Sequence, residues 1–214
     1  MKKNFNKLWY ASYGSNLLEE WFSCYIGGGK PRGAYRTYPG CTDTTAPIAS
    51  KPIKINTKFY FAKVSKTWSG GGPAFIKPKI NENVSTLGRM NLITTEQFIE
   101  LMKQEIIHEG NLTIDFDRAI KDTAFDLKRP ESWYNKLLYL EKDEGYPIFT
   151  FTNMEFLTDE INPPNEHYLK IIIEGLKETY NLSPIQIEKY LRSKKGITCT
   201  EVEGQLGELI ERGW

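Results

Sequence analysis

Two stretches of the sequence carry residue types in an order that suits chemistry on a small molecule. The first is Tyr13-Gly14-Ser15-Asn16-Leu17, which follows the short, aromatic-rich run from Leu8 to Tyr13. A glycine turn opening a helix presents successive backbone N–H groups, and the missing Cβ lets a ligand come close to them. A carboxylate or a developing oxyanion is the species such donors hold. The second is an acid on an apolar stripe, since Phe98, Leu101, Met102 and Glu105 recur at helical spacing. Burial on such a stripe raises the pKa of a carboxyl group and lowers that of a neighbouring amine, which brings the two within proton-transfer range. Each stretch also has an ordinary reading: Gly-Ser-Asn is a common turn and helix cap, and a helical glutamate is commonly solvated beside a lysine or arginine.

Other chemistries find less support. His108 and His167 have no Cys or His partner at metal-ligand spacing, so no metal site is expected. No Ser-His-acid arrangement stands out for a hydrolase. Cys24, Cys41 and Cys199 are odd in number, widely spaced and without a CxxC pair, which suits free thiols in a reducing compartment and a cytoplasmic location. The 28 Lys+Arg against 27 Asp+Glu leave a formal charge of +1, so no global field favours nucleic acid or anionic lipid. The apolar stretch from Leu8 to Ala11 is cut short at Ser12 and Gly14, so neither an export signal nor a membrane-crossing run is expected.

The elements that must position these residues are legible in part. Leu8 to Tyr13 reads as a buried strand, and a helix is expected from Asn16, with Asn16 as N-cap and Glu19 completing a capping box, until Gly27-Gly28-Gly29 stops it. The Pro- and Gly-rich residues 30–52 read as a long loop. Lys58 to Lys66 reads as a strand, followed by the turn Trp68-Ser69-Gly70-Gly71-Gly72-Pro73 and the apolar stub Ala74-Phe75-Ile76. Thr94 or Thr95 is expected to cap a helix over 96–107. Residues 108–132 show no sustained period, and a hairpin is expected around Glu144-Gly145-Tyr146-Pro147. Pro163-Pro164 precedes helices over about 165–181 and 184–194, the second opening with Ser183-Pro184. Short aromatic strands between glycine turns, with no βαβ rhythm, predict an α+β fold in which a small mixed β-barrel is flanked by helices.

The order strand, Tyr13-Gly14-Ser15-Asn16-Leu17 turn, helix resembles the substrate-binding loop of the γ-glutamylcyclotransferase-like superfamily. Thr67-Trp68-Ser69-Gly70-Gly71 is similar to the family's Trp-x-Gly-Gly element, and Pro163-Pro164 followed by Tyr168 to the start of its late helix. The stretch from Phe98 to Glu105 resembles the segment holding the family's catalytic glutamate, although Met102 stands for its aspartate and Ile106 for its glycine, and Glu109-Gly110 offers a shifted match. The resemblance implies one domain over 1–214, with an insertion at about 106–132 before Tyr134 and a helical part from about 165. It implies Glu105, with Glu109 as the fallback, as the proton-transfer group. Tyr13, Gly14, Ser15, Asn16, Leu17, Trp68, Gly70, Tyr134 and Tyr168 would contact the substrate. The implied reaction needs no cofactor: the α-amine of a γ-glutamyl compound attacks its own γ-carbonyl, 5-oxoproline forms and the amine departs. The implied partner is that small molecule, with no nucleic acid and no membrane. A binding or interaction protein on the same fold is the alternative.

Overall fold

The computed structural model describes residues 5–79, 83–106, 110 and 112–213. In chain order the elements are β1 (Lys7–Ser12), a 3-10 turn (Ser15–Leu17), α1 (Glu19–Gly27), β2 (Ala49–Ile55), β3 (Phe59–Phe61), β4 (Ala74–Ile76), β5 (Thr86–Thr94) and α2 (Thr95–Ile106). They continue with α3 (Phe116–Lys121), β6 (Ala124–Asp126), β7 (Lys136–Asp143), β8 (Tyr146–Thr152), a second 3-10 turn (Thr158–Glu160), α4 (Glu166–Tyr180), α5 (Pro184–Arg192) and α6 (Glu201–Arg212). The chain divides into two compact units: Met1–Ser12, Glu20–Ile53 and Arg89–Met154 in the first, Tyr13–Glu19, Lys54–Gly88 and Glu155–Trp214 in the second.

The first unit is built on a mixed six-stranded sheet in the order β2-β5-β1-β8-β7-β6. β1 takes a central place because Leu8 to Ser12 are all buried, as a strand covered on both faces requires. It runs antiparallel to β5, with Trp9 opposite Leu92, and parallel to β8, with Trp9 opposite Ile148. The β7–β8 hairpin turns at Glu144 and Gly145, both at positive φ (50° and 84°), as the tight turn of a two-residue hairpin demands. α2 is capped reciprocally, Thr94 Oγ1 accepting from the Gln97 N–H at 3.1 Å and Gln97 Oε1 from the Thr94 N–H at 3.0 Å.

The α+β class with a mixed sheet is observed, but the sheet is open rather than closed into a barrel. Closure would need the edge strands β2 and β6 to pair. β2 carries Pro52, which has no N–H to donate, and β6 has three residues. Three local expectations also change. Residues 49–52, expected in a loop, begin β2, and the aperiodic stretch 108–132 contains α3 and β6. The capping box at Asn16 is not made. Leu18 is extended (φ −82°, ψ 126°), so Asn16 and Glu19 fall in different helical segments, and Gly14 is the N-cap of the 3-10 turn with no side-chain hydrogen bond.

The second unit joins the two-stranded ladder β3–β4, with Tyr60 opposite Phe75, to the helices α4, α5 and α6. α4 starts where Asn165 Oδ1 accepts from the Tyr168 N–H at 2.8 Å and ends at Asn181 in the left-handed region (φ 52°). α5 has the Pro-initiated start expected from Ser183-Pro184, with a full capping box between Ser183 and Gln186. Among the described residues no helix is long and apolar enough to cross a membrane.

Candidate functional site

Most of the residues singled out in the sequence fall in the second unit, where they meet. The 3-10 turn after β1 is closed by the Leu17 N–H donating to Gly14 O at 3.0 Å and the Leu18 N–H to Ser15 O at 3.1 Å. Tyr13, Asn16 and Leu17 are buried, while Gly14 and Ser15 are half-exposed. Gly14 is crowded by a side chain from α4. A Cβ added there would lie 2.8 Å from Tyr168 Oη and 3.5 Å from Ala74 Cβ. Tyr168 Oη accepts a hydrogen bond from the Ala74 N–H at 3.1 Å, and the Tyr168 ring lies 4.3 Å from that of Trp68. The Asn165 cap fixes the backbone of Tyr168, and the tyrosine side chain then joins the turn, β4 and Trp68 in one cluster.

Trp68 is held by a tight loop in which Ser65 O accepts from the N–H groups of Trp68 (3.2 Å) and Gly70 (2.8 Å), and Trp68 O from Gly71 (2.8 Å). Gly70 is exposed at φ 88°, and its carbonyl accepts from Asn162 Nδ2 at 2.7 Å. The neighbouring glycines of the same run, Gly71 and Gly72, make the close approaches. A Cβ on Gly71 would sit 2.3 Å from Asn165 N, and one on Gly72 would sit 2.3 Å from Asn162 O. Gly175, inside α4, was missed: a Cβ there would be 2.5 Å from Leu17 Cβ. A lone glycine within an otherwise regular amphipathic helix was the signal available, because glycine costs about 1 kcal/mol there unless packing needs it.

Glu105 and Tyr134 belong to the first unit. Phe98, Leu101 and Met102 are fully buried on α2, and Glu105 ends that stripe half-buried. Its electrostatic neighbours are Tyr25, Tyr38 and Arg36. The rings of Tyr25 and Tyr38 lie 4.3 Å apart, tilted by 41°, with their hydroxyls 3.5 Å apart, and the Arg36 guanidinium lies 4.6 Å over the Tyr38 ring. Burial pushes the Tyr25 hydroxyl well above the usual phenol range, with the Glu105 charge adding to the effect, and Tyr38 rises for the same leading reason. Gln104 donates to Tyr25 O at 2.9 Å and accepts nothing at its buried Oε1; the buried Arg36 Nε has no hydrogen-bond partner among the described residues. Tyr134 packs edge-on against Phe151 at 5.6 Å. Glu109 lies outside the described residues.

The described residues hold no group of three or more His, Cys, Asp or Glu able to bind a metal ion. The three cysteines are free thiols, and burial pushes that of Cys41 up to about 12.

No family model matches the chain. Histone deacetylase 5 of Arabidopsis thaliana is 32% identical over a 202-residue alignment, and the match covers 86% of this chain. The chain spans 30% of the length of that relative. Among solved structures, a γ-glutamyl cyclotransferase aligns over 97% of this chain and 99% of its own, with 18% identity and a TM-score of 0.49. An uncharacterised human protein aligns with 19% identity and the same coverage and TM-score. A yeast γ-glutamyl cyclotransferase specific to glutathione aligns over 97% of each chain, with 11% identity and a TM-score of 0.40.

Proposed function

We propose that this chain is a cofactor-independent cyclotransferase acting on a γ-glutamyl amine or peptide and releasing 5-oxoproline. The observation that carries the reading is the meeting of Gly14, Trp68 and Tyr168 in one cluster. They come from three stretches of sequence far apart, each resembling an element of the same enzyme family. Intramolecular attack makes the demand on the protein small, because a substrate held folded gains most of its rate from effective molarity. The α-amine forms a C–N bond to the γ-carbonyl carbon, the γ-amide C–N bond breaks, and the proton lost by the attacking amine ends on the departing one. Glu105 carries that proton. The turn presents its backbone to the substrate carboxylate or the oxyanion. The helical segment that opens there has three residues, so its macrodipole is small and individual N–H groups supply the stabilisation.

A second reading, a binding protein on the same fold, is favoured by the company Glu105 keeps. A carboxylate beside a guanidinium and two buried tyrosines is also how a structural acid is held. One experiment separates the two. Purified protein is incubated with a panel of γ-glutamyl compounds and 5-oxoproline is measured by mass spectrometry, for the wild type and for Glu105→Gln. The proposal expects turnover by the wild type and a loss of roughly 100-fold or more in the variant with its melting temperature nearly unchanged. No turnover on any compound, or turnover that survives in Glu105→Gln, overturns it. The deacetylase activity in the name of the Arabidopsis relative is not extended to this chain, which spans only 30% of that protein.

A further inference from the structure

We infer that the second unit carries a separate anion site, formed by Lys58, Lys77 and Lys195 around Phe156, that takes a multiply charged phosphate. The β3–β4 ladder places Phe59 opposite Ile76, so the next pair outward is Lys58 against Lys77, joined by the Lys77 N–H donating to Lys58 O at 2.9 Å. Alternation along the strands puts Lys58 and Tyr60 on one face, with Phe75 and Lys77 facing them. Tyr60 stacks on Phe75 at 5.7 Å and meets Phe156 edge-on at 4.9 Å. Phe156 is the platform for the charges: Lys77 Nζ lies 3.8 Å from its centroid and Lys195 Nζ 5.3 Å. Lys195 is delivered by the segment after α5, whose carbonyl accepts from the Phe61 N–H at 2.9 Å.

Like charges directly opposite on a ladder destabilise it, and a third ammonium adds to the cost. The field is felt, since desolvation and then the charges of Lys58 and Lys195 lower the pKa of Lys77. None of the three lysines makes a salt bridge among the described residues, and the carboxylate of Glu160, in the segment that follows Phe156, is engaged by Lys63 at 2.6 Å. A bound anion with several oxygens would remove the repulsion and use all three ammoniums as donors. Lysines act as mobile point charges and impose no planar fork, which suits tetrahedral phosphate groups better than a single carboxylate. The ring already packs against Tyr60 and carries two ammonium groups, so recognition rests on charge rather than on stacking.

The test is a calorimetric titration of the whole protein with inorganic pyrophosphate and, separately, inorganic phosphate, at fixed ionic strength. Expected is saturable 1:1 binding, with pyrophosphate at least about tenfold tighter than phosphate because its extra charge reaches a further lysine. Lys77→Gln should weaken pyrophosphate about tenfold or more, while Lys121→Gln, on α3 in the first unit, should change nothing. Lys58→Gln is the safeguard against a folding defect: its side chain is exposed, and without ligand its melting temperature should equal or exceed that of the wild type. No saturation by roughly 10 mM pyrophosphate, a value already weaker than the 1 mM scale of marginal affinity, would overturn the site. So would equal weakening by Lys121→Gln and Lys77→Gln, or a Lys58→Gln variant that binds like the wild type. Turnover of γ-glutamyl compounds is not part of this readout, so the two proposals stand or fall separately.

Discussion

The cluster around Tyr168 and the cluster around Glu105 are assembled by opposite means. In the second unit, glycines at 14, 71, 72 and 175 let backbone approach backbone or side chain, and Tyr168 Oη accepts from the main-chain N–H of Ala74. In the first unit, ionisable side chains pack together around a half-buried acid, phenol pKa values rise, and Arg36 Nε and Gln104 Oε1 are left without partners among the described residues. The first arrangement is fixed by shape, which an added methyl group would strain. The second is fixed by charge, where titration and small shifts are cheap.

The largest expected effect tests the claim about shape. Gly72→Ala forces a Cβ to within 2.3 Å of a backbone carbonyl, so it should destabilise the protein by about 3 kcal/mol in denaturant unfolding. Gly204→Ala, on α6 with no heavy atom within 4 Å of the new Cβ, should instead stabilise by up to about 1 kcal/mol, as glycine relieved inside a helix does. Equal effects at the two positions would show that close approach is not what holds the second unit.

A smaller effect is expected at the turn itself. Gly14→Ala meets a hydroxyl rather than backbone, so it should cost about 1–2 kcal/mol. Tyr168→Phe deletes that hydroxyl but leaves the Ala74 N–H without its acceptor, a loss of about 1–3 kcal/mol. The double variant should therefore cost less than the two changes added together, by about 1 kcal/mol in a double-mutant cycle. Strict additivity would mean that the glycine and the tyrosine hydroxyl do not share space.

The smallest effects are in pH dependence, and the two units should move in opposite directions. Cys41 has a folded pKa of about 12 against an ordinary value near 9.0, so the unfolded chain ionises first and the contribution of the thiol is lost as pH rises from 9 towards 12. Lys194, in the second unit, packs its ammonium 3.9 Å from the Tyr190 ring, and desolvation lowers its pKa to about 8 from 10.5. Between those two values the unfolded chain binds the extra proton, so Lys194 makes the protein more stable as pH increases. Unfolding free energies measured from pH 7 to 11 should lose part of their alkaline decline in Cys41→Ala. In Lys194→Met they should begin higher at pH 7 and lack the compensating rise. Slopes unchanged by either substitution would remove these two groups from the account.

Much of this was written in local sequence, because the signals involved reach only a few residues. The strand running up to the Tyr13-Gly14 turn, the stop at Gly27, the cap at Thr94, the Glu144-Gly145 hairpin and the two helix starts after Pro164 and Ser183 are matters of periodicity, capping and turn chemistry. The apolar stripe under Glu105 was equally legible. Other features depended on which surfaces meet. β2 was hidden inside a proline-rich run and is a strand only because β5 lies beside it. The sheet stays open because its two edges cannot pair. Gly175 matters only because α4 lands on Leu17, and Tyr25, Arg36 and Tyr38 surround Glu105 although none lies within sixty residues of it in sequence. Sequence spacing carries no information about such encounters, because they are selected by the complementary packing of whole elements and not by the propensities of any one segment.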